Sequence, residues 1–183
     1  MDKFTIQNNL KKIGLAFLLA IFLGFSSQIT IPLIWVPITG QTLAVGLIAS
    51  IFGLTVGIES LSIYILMGWL GLPVFANAHA GLSVLLGPTG GYIWGFLVYI
   101  LLVRLINRDH NSWQLGIANL SAATIQLIIG AVWLMFAAPM TLPAAIENGI
   151  LPFLVPGLIK ITIICGITML SWRYLPKLNP INK

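Results

Sequence analysis

Apolar residues run through this chain in long blocks, interrupted by short clusters of Pro, Gly and polar residues, and the blocks lack the alternation of half-buried strands. Six blocks can be delimited, at 12–31, 41–57, 59–71, 88–106, 113–137 and 151–173. Most are close to the ~20 residues that carry a helix across a bilayer. The connections at 32–40, 72–87 and 138–150 contain the breakers Pro32, Pro37, Gly40, Pro73, Gly81, Gly87, Pro139, Pro143 and Gly149. The pattern predicts an all-α integral membrane protein, a bundle of six transmembrane helices forming one domain over 1–183.

Two segments depart from plain spans. The third block, ESLSIYILMGWLG, is too short to cross ~30 Å as a straight helix. It leads into LPVFANAHAGLSVLLGPTGGY, which is uncharged, apolar and rich in glycine. Irregular backbone at membrane depth must pack on protein or line a cavity. A Gly-rich, re-entrant-type loop between the third and fourth helices is therefore expected, folded into the mouth of a pocket. An ordinary loop outside the membrane is the alternative.

Composition agrees with the pattern. The chain is 58% hydrophobic and 7% charged, with a mean hydropathy of +1.02, against ~25% charged residues in ordinary soluble domains. A net charge of +5 can accompany nucleic-acid binding, but these cations form no basic run interleaved with aromatics, so no nucleic acid is expected. They mark topology instead. Lys3, Lys11 and Lys12 precede the first block, Arg104 and Arg108 follow the fourth, and Arg173, Lys177 and Lys183 follow the sixth, so both termini are expected in the cytoplasm. The first thirty residues also resemble a secretory signal in having a basic start and an apolar core, yet the apolar run continues past Ser26 and Ser27 to Ile31.

One cation breaks this arrangement. Lys160 lies inside LPFLVPGLIKITIICGITMLSW, ~20 Å of helix rise from Arg173. A lysine at membrane depth costs roughly 2.5–3.5 kcal/mol on the lenient insertion scale. Either a ligand with an anionic or strongly accepting group meets it, or carbonyls freed by Pro152 and Pro156 do. Asp2, Glu59 and Asp109 belong to the cytoplasmic side, and Glu147 alone could fold back toward it.

Other polar residues in apolar surroundings are candidates for the same pocket. Gln41 opens the second block next to Thr39, a candidate cap. Asn77 carries an amide suited to a ring urea, or to bracing its own loop. Gly90 and Gly91 would let backbone approach a ligand, Tyr92 could stack on a flat ring, and Gln126 could contact substrate or another helix. His79, Trp35, Trp69, Trp113 and Trp172 read as interfacial. In the first block Ala16, Ala20 and Gly24 recur every fourth residue, a small face for packing in the bundle or for docking a partner protein. No H-E-x-x-H, G-x-S-x-G or nucleotide-binding G-x-x-x-x-G-K-[ST] motif occurs, so no catalytic residue, metal or cofactor is expected. A proton-driven transporter acting alone is disfavoured because no acid lies mid-helix.

The segments PITGQTLAVGL, GWLGLPVFANAHAGL, LLGPTGGYIWGF and PFLVPGLIK together resemble the BioY family, the biotin-binding S components of energy-coupling factor (ECF) transporters. The resemblance extends over roughly 12–173. It implies a six-helix subunit in the plasma membrane that captures biotin from outside and works with a transmembrane coupling protein and two ATPase subunits, through the small face of the first helix. It implies Lys160 and Asn77 as ligand contacts. The family commonly has an acid three residues before this lysine, where the chain has Gly157. A related ring carboxylate, such as dethiobiotin or lipoate, is the alternative ligand.

Overall fold

A computed structural model describes residues 3–108 and 111–174. Asp2, Asp109, His110, Lys177 and Lys183, and the side chain of Lys3, lie outside the described part. Among the described residues the elements are α1 (Lys3–Gln28), β1 (Thr30–Ile31), β2 (Ile38–Thr39), α2 (Gln41–Trp69), a 3-10 turn (Ala76–Ala78), α3 (Leu82–Leu86), α4 (Gly90–Ile106), α5 (Ser112–Ala137), α6 (Leu142–Gly149) and α7 (Leu151–Tyr174). Four helical stretches, Leu10–Gln28, Gln41–Trp69, Ser112–Ala137 and Leu142–Tyr174, are long and apolar enough to cross a membrane, and Gly90–Ile106 is a shorter apolar helix.

α2 is not a straight rod. Twenty-three residues of continuous helix would separate Gln41 from Tyr64 by ~35 Å, yet the Gln41 amide donates to the Tyr64 hydroxyl. The reversal is at Gly53, whose φ of 79° and ψ of −170° are open essentially to glycine alone. The chain boundary expected near residue 58 is thus corrected. Glu59 and Ser60 lie within helix, Ser60 bonding back to the Val56 and Gly57 carbonyls and Glu59 pairing with Lys12 at 3.5 Å. Gly53→Ala is expected to cost about 1–3 kcal/mol from backbone strain. Thermal unfolding in detergent checks this, and an unchanged midpoint would contradict the backbone conformation.

The two halves of α2 pack with α1, α4 and α7, and α4 packs along α5. Tyr64, Phe75, Phe96, Tyr99 and Leu115 are fully or almost fully buried, while Phe25, Phe136 and Val155 are exposed, as for a bundle whose outer face meets lipid. Polar groups bind the interior. Tyr99 donates to Asn119 Oδ1 at 2.8 Å, and Asn119 Nδ2 donates to Ser50 Oγ at 3.2 Å and to the Leu115 carbonyl at 2.9 Å, linking α4, α5 and α2. Such bonds hold helices together where apolar contact alone gives no preference over lipid.

Ala16 and Ala20 are fully buried and Gly24 lies against Val74. Within the chain these small residues let α1 pack closely on its neighbours. The connections also differ from plain loops. Residues 30–39 form an antiparallel ribbon pairing Thr30 with Thr39 and Ile31 with Ile38, 72–89 contains the 3-10 turn and α3, and Pro143 starts α6 instead of breaking a helix. All of these lie at one end of the bundle, opposite the end marked by Lys12, Glu59, Arg104 and Arg173.

Candidate functional site

At the end formed by the ribbon and the 72–89 segment, a cavity of about 250 Å³ opens between helices. It is close to the lower bound of small-molecule sites, ~300–1,000 Å³. Lys160, Asn77, Gln41, Tyr92 and Gln126 all line it. Five positions drawn from five separate stretches of sequence therefore converge, with Phe75, Phe96, Phe153 and Trp35 supplying apolar surface.

Each polar residue is held by a specific partner. Lys160 reaches from α7 and donates to the Thr39 carbonyl at 2.7 Å, so the carbonyl that meets it comes from the ribbon and not from the prolines of its own helix. No carboxylate among the described residues lies within ion-pair distance of it, Glu147 included. Gln41 donates to Tyr64, and its Oε1 accepts from the Thr39 hydroxyl at 2.8 Å. That hydroxyl also accepts from the Gln41 backbone N–H at 3.3 Å. Asn77 has left-handed backbone, φ 58° and ψ 32°, which asparagine tolerates better than most residues. Its Oδ1 accepts from the Thr30 hydroxyl at 3.0 Å.

Tyr92 is less available than expected. Its hydroxyl donates to the Gly149 carbonyl at 2.8 Å and its ring stacks on Phe153 at 5.9 Å between centroids. The Gln126 amide donates to the Tyr92 carbonyl at 3.1 Å, tying α5 to α4 at the cavity wall. Gly90 and Gly91 do not line the cavity. A side chain at Gly91 would collide with Trp133, and one at Gly90 with the Leu85 carbonyl, so these glycines admit close packing of the chain on itself.

Two groups of residues were missed in the sequence. Gln28, at the end of α1, donates to the Phe75 carbonyl at 3.0 Å and accepts from the Ala78 N–H at 2.9 Å, clamping the turn that presents Asn77. Ser27 donates to the Val74 carbonyl beside it. The ribbon is the second group, since Leu33 to Pro37 border the cavity, with Ile34 88% exposed. Trp35, expected at the interface, stands with them at the rim. The Pro spacing in 32–40 was the available signal for a tight, ordered connection.

The arrangement can hold a molecule: a lysine, a histidine, amides and hydroxyls stand among apolar walls, and His79, expected at the interface, is one of them. No group of three or more His, Cys, Asp or Glu able to hold a metal occurs among the described residues.

The BioY family model matches residues 1–177. The chain is 34% identical to a "Biotin transporter BioY2" of Lactococcus lactis subsp. cremoris, over 77% of this chain and 79% of that protein. It is 37% identical to a "Biotin transporter BioY" of Thermotoga maritima, over 74% and 80%. The crystal structure of an S-component for biotin from an ECF-type ABC transporter superposes with a TM-score of 0.80 at 21% identity, covering 92% of each chain. That likeness concerns the fold.

Proposed function

The chain belongs to the BioY family, and from that premise we propose that it is the membrane-embedded substrate-binding subunit of an ECF-type vitamin transporter, taking up biotin. The supporting observation is the convergence of Lys160, Asn77 and Gln41 on one small cavity with apolar walls. Such a site buries a bicyclic ring and fixes its orientation with a few polar groups. It binds and does not transform its ligand.

In this reading the polypeptide crosses the membrane six times, because the reversal at Gly53 divides α2 into two crossings. The 72–89 segment dips back against the bundle as a roof, and the cavity faces outward with both termini in the cytoplasm, as the cation distribution favours. The whole chain acts as one substrate-binding domain. A coupling protein and two ATPase subunits supply the energy. The small-residue face of α1 at Ala16, Ala20 and Gly24 is the surface proposed for docking the coupling protein, and its side chains are also packed within the chain.

Calorimetric titration of the purified chain with biotin, dethiobiotin and lipoate tests the reading. Saturable one-to-one binding of biotin, tighter than that of the other two, is expected. A folded chain without affinity for biotin would overturn it, and a preference for lipoate or dethiobiotin would reassign the ligand within the same class.

A further inference from the structure

The turn that carries Asn77 holds its backbone in a conformation that one of its residues disfavours. Asn77 and Ala78 are both left-handed, with φ of 58° and 57°. Asparagine visits that region with some ease because its short polar side chain can bond locally, whereas an alanine Cβ crowds the following carbonyl there. At Gly71 and Gly81, on either side of the turn, the chain uses glycine for its positive φ. Ala78 is therefore a strained residue, and such strain persists where surrounding contacts over-determine the backbone.

Those contacts come from α1. Gln28 ends that helix, and its amide grips both sides of the turn: Nε2 donates to the Phe75 carbonyl at 3.0 Å, and Oε1 accepts from the Ala78 N–H at 2.9 Å. Ser27, fully buried, donates to the Val74 carbonyl just before the turn. Across the base of the loop the Phe75 N–H donates to the His79 carbonyl at 3.1 Å. The N–H that Gln28 holds thus belongs to the strained residue itself. Fixing it orients the peptide plane between Asn77 and Ala78, which the ψ of the first and the φ of the second define.

The residue that is held and the residues that face the cavity are different. Phe75, Ala76, Asn77 and His79 line the cavity, whereas Ala78 and Gln28 do not. Ala78 is the one position of the 75–79 loop absent from the cavity wall, so Gln28 acts on that wall from behind.

We propose that Gln28 is a positioning residue of the ligand site: it holds Ala78 left-handed and through Ala78 sets Phe75, Asn77 and His79 in the arrangement that receives the ligand. The proposal rests on the biotin-binding reading above for the ligand, and on the turn alone for the hold. Without the amide, Ala78 relaxes toward ordinary backbone, and the wall keeps its binding shape in a fraction of the molecules. Apparent affinity falls in proportion to that fraction.

Exchanging Ala78 for glycine separates this role from plain support of the fold. Glycine enters the left-handed region without the Cβ penalty, so Ala78→Gly removes the need for the hold. Calorimetric titration of the purified chain with biotin is expected to show about tenfold weaker binding in Gln28→Ala, a binding-competent fraction of about one tenth. In the double variant Gln28→Ala/Ala78→Gly the affinity should return to within about threefold of the unmodified chain. Hydrogen–deuterium exchange over residues 73–80 of the ligand-free protein should move in parallel, faster in Gln28→Ala and slowed again in the double variant. Unchanged affinity in Gln28→Ala would overturn the proposal. A loss that glycine does not recover would overturn it equally, being the result for a side chain that only steadies α1 or touches the ligand. If Gln28→Ala does not fold, Ala78→Val carries the test with Gln28 in place, since a β-branched residue is an outlier at positive φ. A loss of about tenfold or more is expected there, and unchanged affinity would overturn the proposal. Failure of the unmodified chain to bind biotin would sink the functional reading, and the exchange comparison would still decide the hold: recovery by glycine supports it, and no recovery overturns it.

Discussion

Lys160→Ala is expected to weaken biotin binding by about 100-fold or more. Truncating one partner of a buried, hydrogen-bonded charge pair costs about 2–5 kcal/mol, and every 1.4 kcal/mol is tenfold. Here the ammonium lies in a cavity of about 250 Å³ with no acid nearby, so no other side chain can take over its role. The folded state should suffer much less. The mutation removes one hydrogen bond, to the Thr39 carbonyl, worth about 1 kcal/mol net. It also removes a costly charge from membrane depth, which offsets that loss. Titration calorimetry together with a melting curve in detergent separates the two effects. Retained affinity would show that Lys160 serves only to anchor the ribbon through Thr39.

That separation matters because the residue was conspicuous in the sequence for one physical reason, its charge in an apolar run. Gln41 and Asn77 were legible for a similar reason, as amides among Pro, Gly and aliphatic residues. What periodicity could not supply was direction. Ala16, Ala20 and Gly24 repeat every fourth residue, which defines a small face but not whether the partner is another helix of the same chain; here α1 turns that face inward. Gly90 and Gly91 have the same ambiguity, and Trp133, more than forty residues away, fills the space they leave. The reversal at Gly53 was hidden because that glycine sits in LIASIFGLTV, whose flanks are as apolar as any helix interior, while Glu59 drew the boundary to itself. Gln28 reads as an unremarkable helix-terminal residue until the 72–80 segment folds over it. The bundle class was local information, carried by block lengths and composition. The clamp, the ribbon and the break were set by contacts between distant residues.

Gly68→Ala is expected to damage both stability and binding, although it introduces a better helix former. Ala is favoured over Gly in a helix interior by up to ~1 kcal/mol, and Gly68 is not among the positive-φ glycines, so backbone strain is not at issue. The opposing effect is packing. A methyl at this position would lie well inside contact distance of three ring carbons of Phe75. That ring is fully buried and meets Tyr64 edge-on at 5.4 Å, and the Tyr64 hydroxyl in turn accepts from Gln41. Overpacking a close-packed core costs about 1–3 kcal/mol, and the displaced ring has the cavity it lines as its nearest free volume. The clash should therefore exceed the helix gain, lowering thermal stability by about 1–2 kcal/mol net. Phe75 pushed into a cavity of about 250 Å³ should reduce biotin affinity at least tenfold. Phe75→Leu in the same chain removes the ring edge and should recover most of the stability but less of the affinity, because one apolar wall of the site is lost. Gly68→Ala with unchanged melting and unchanged affinity would show that the turn carrying Asn77 is not braced against α2 through Phe75.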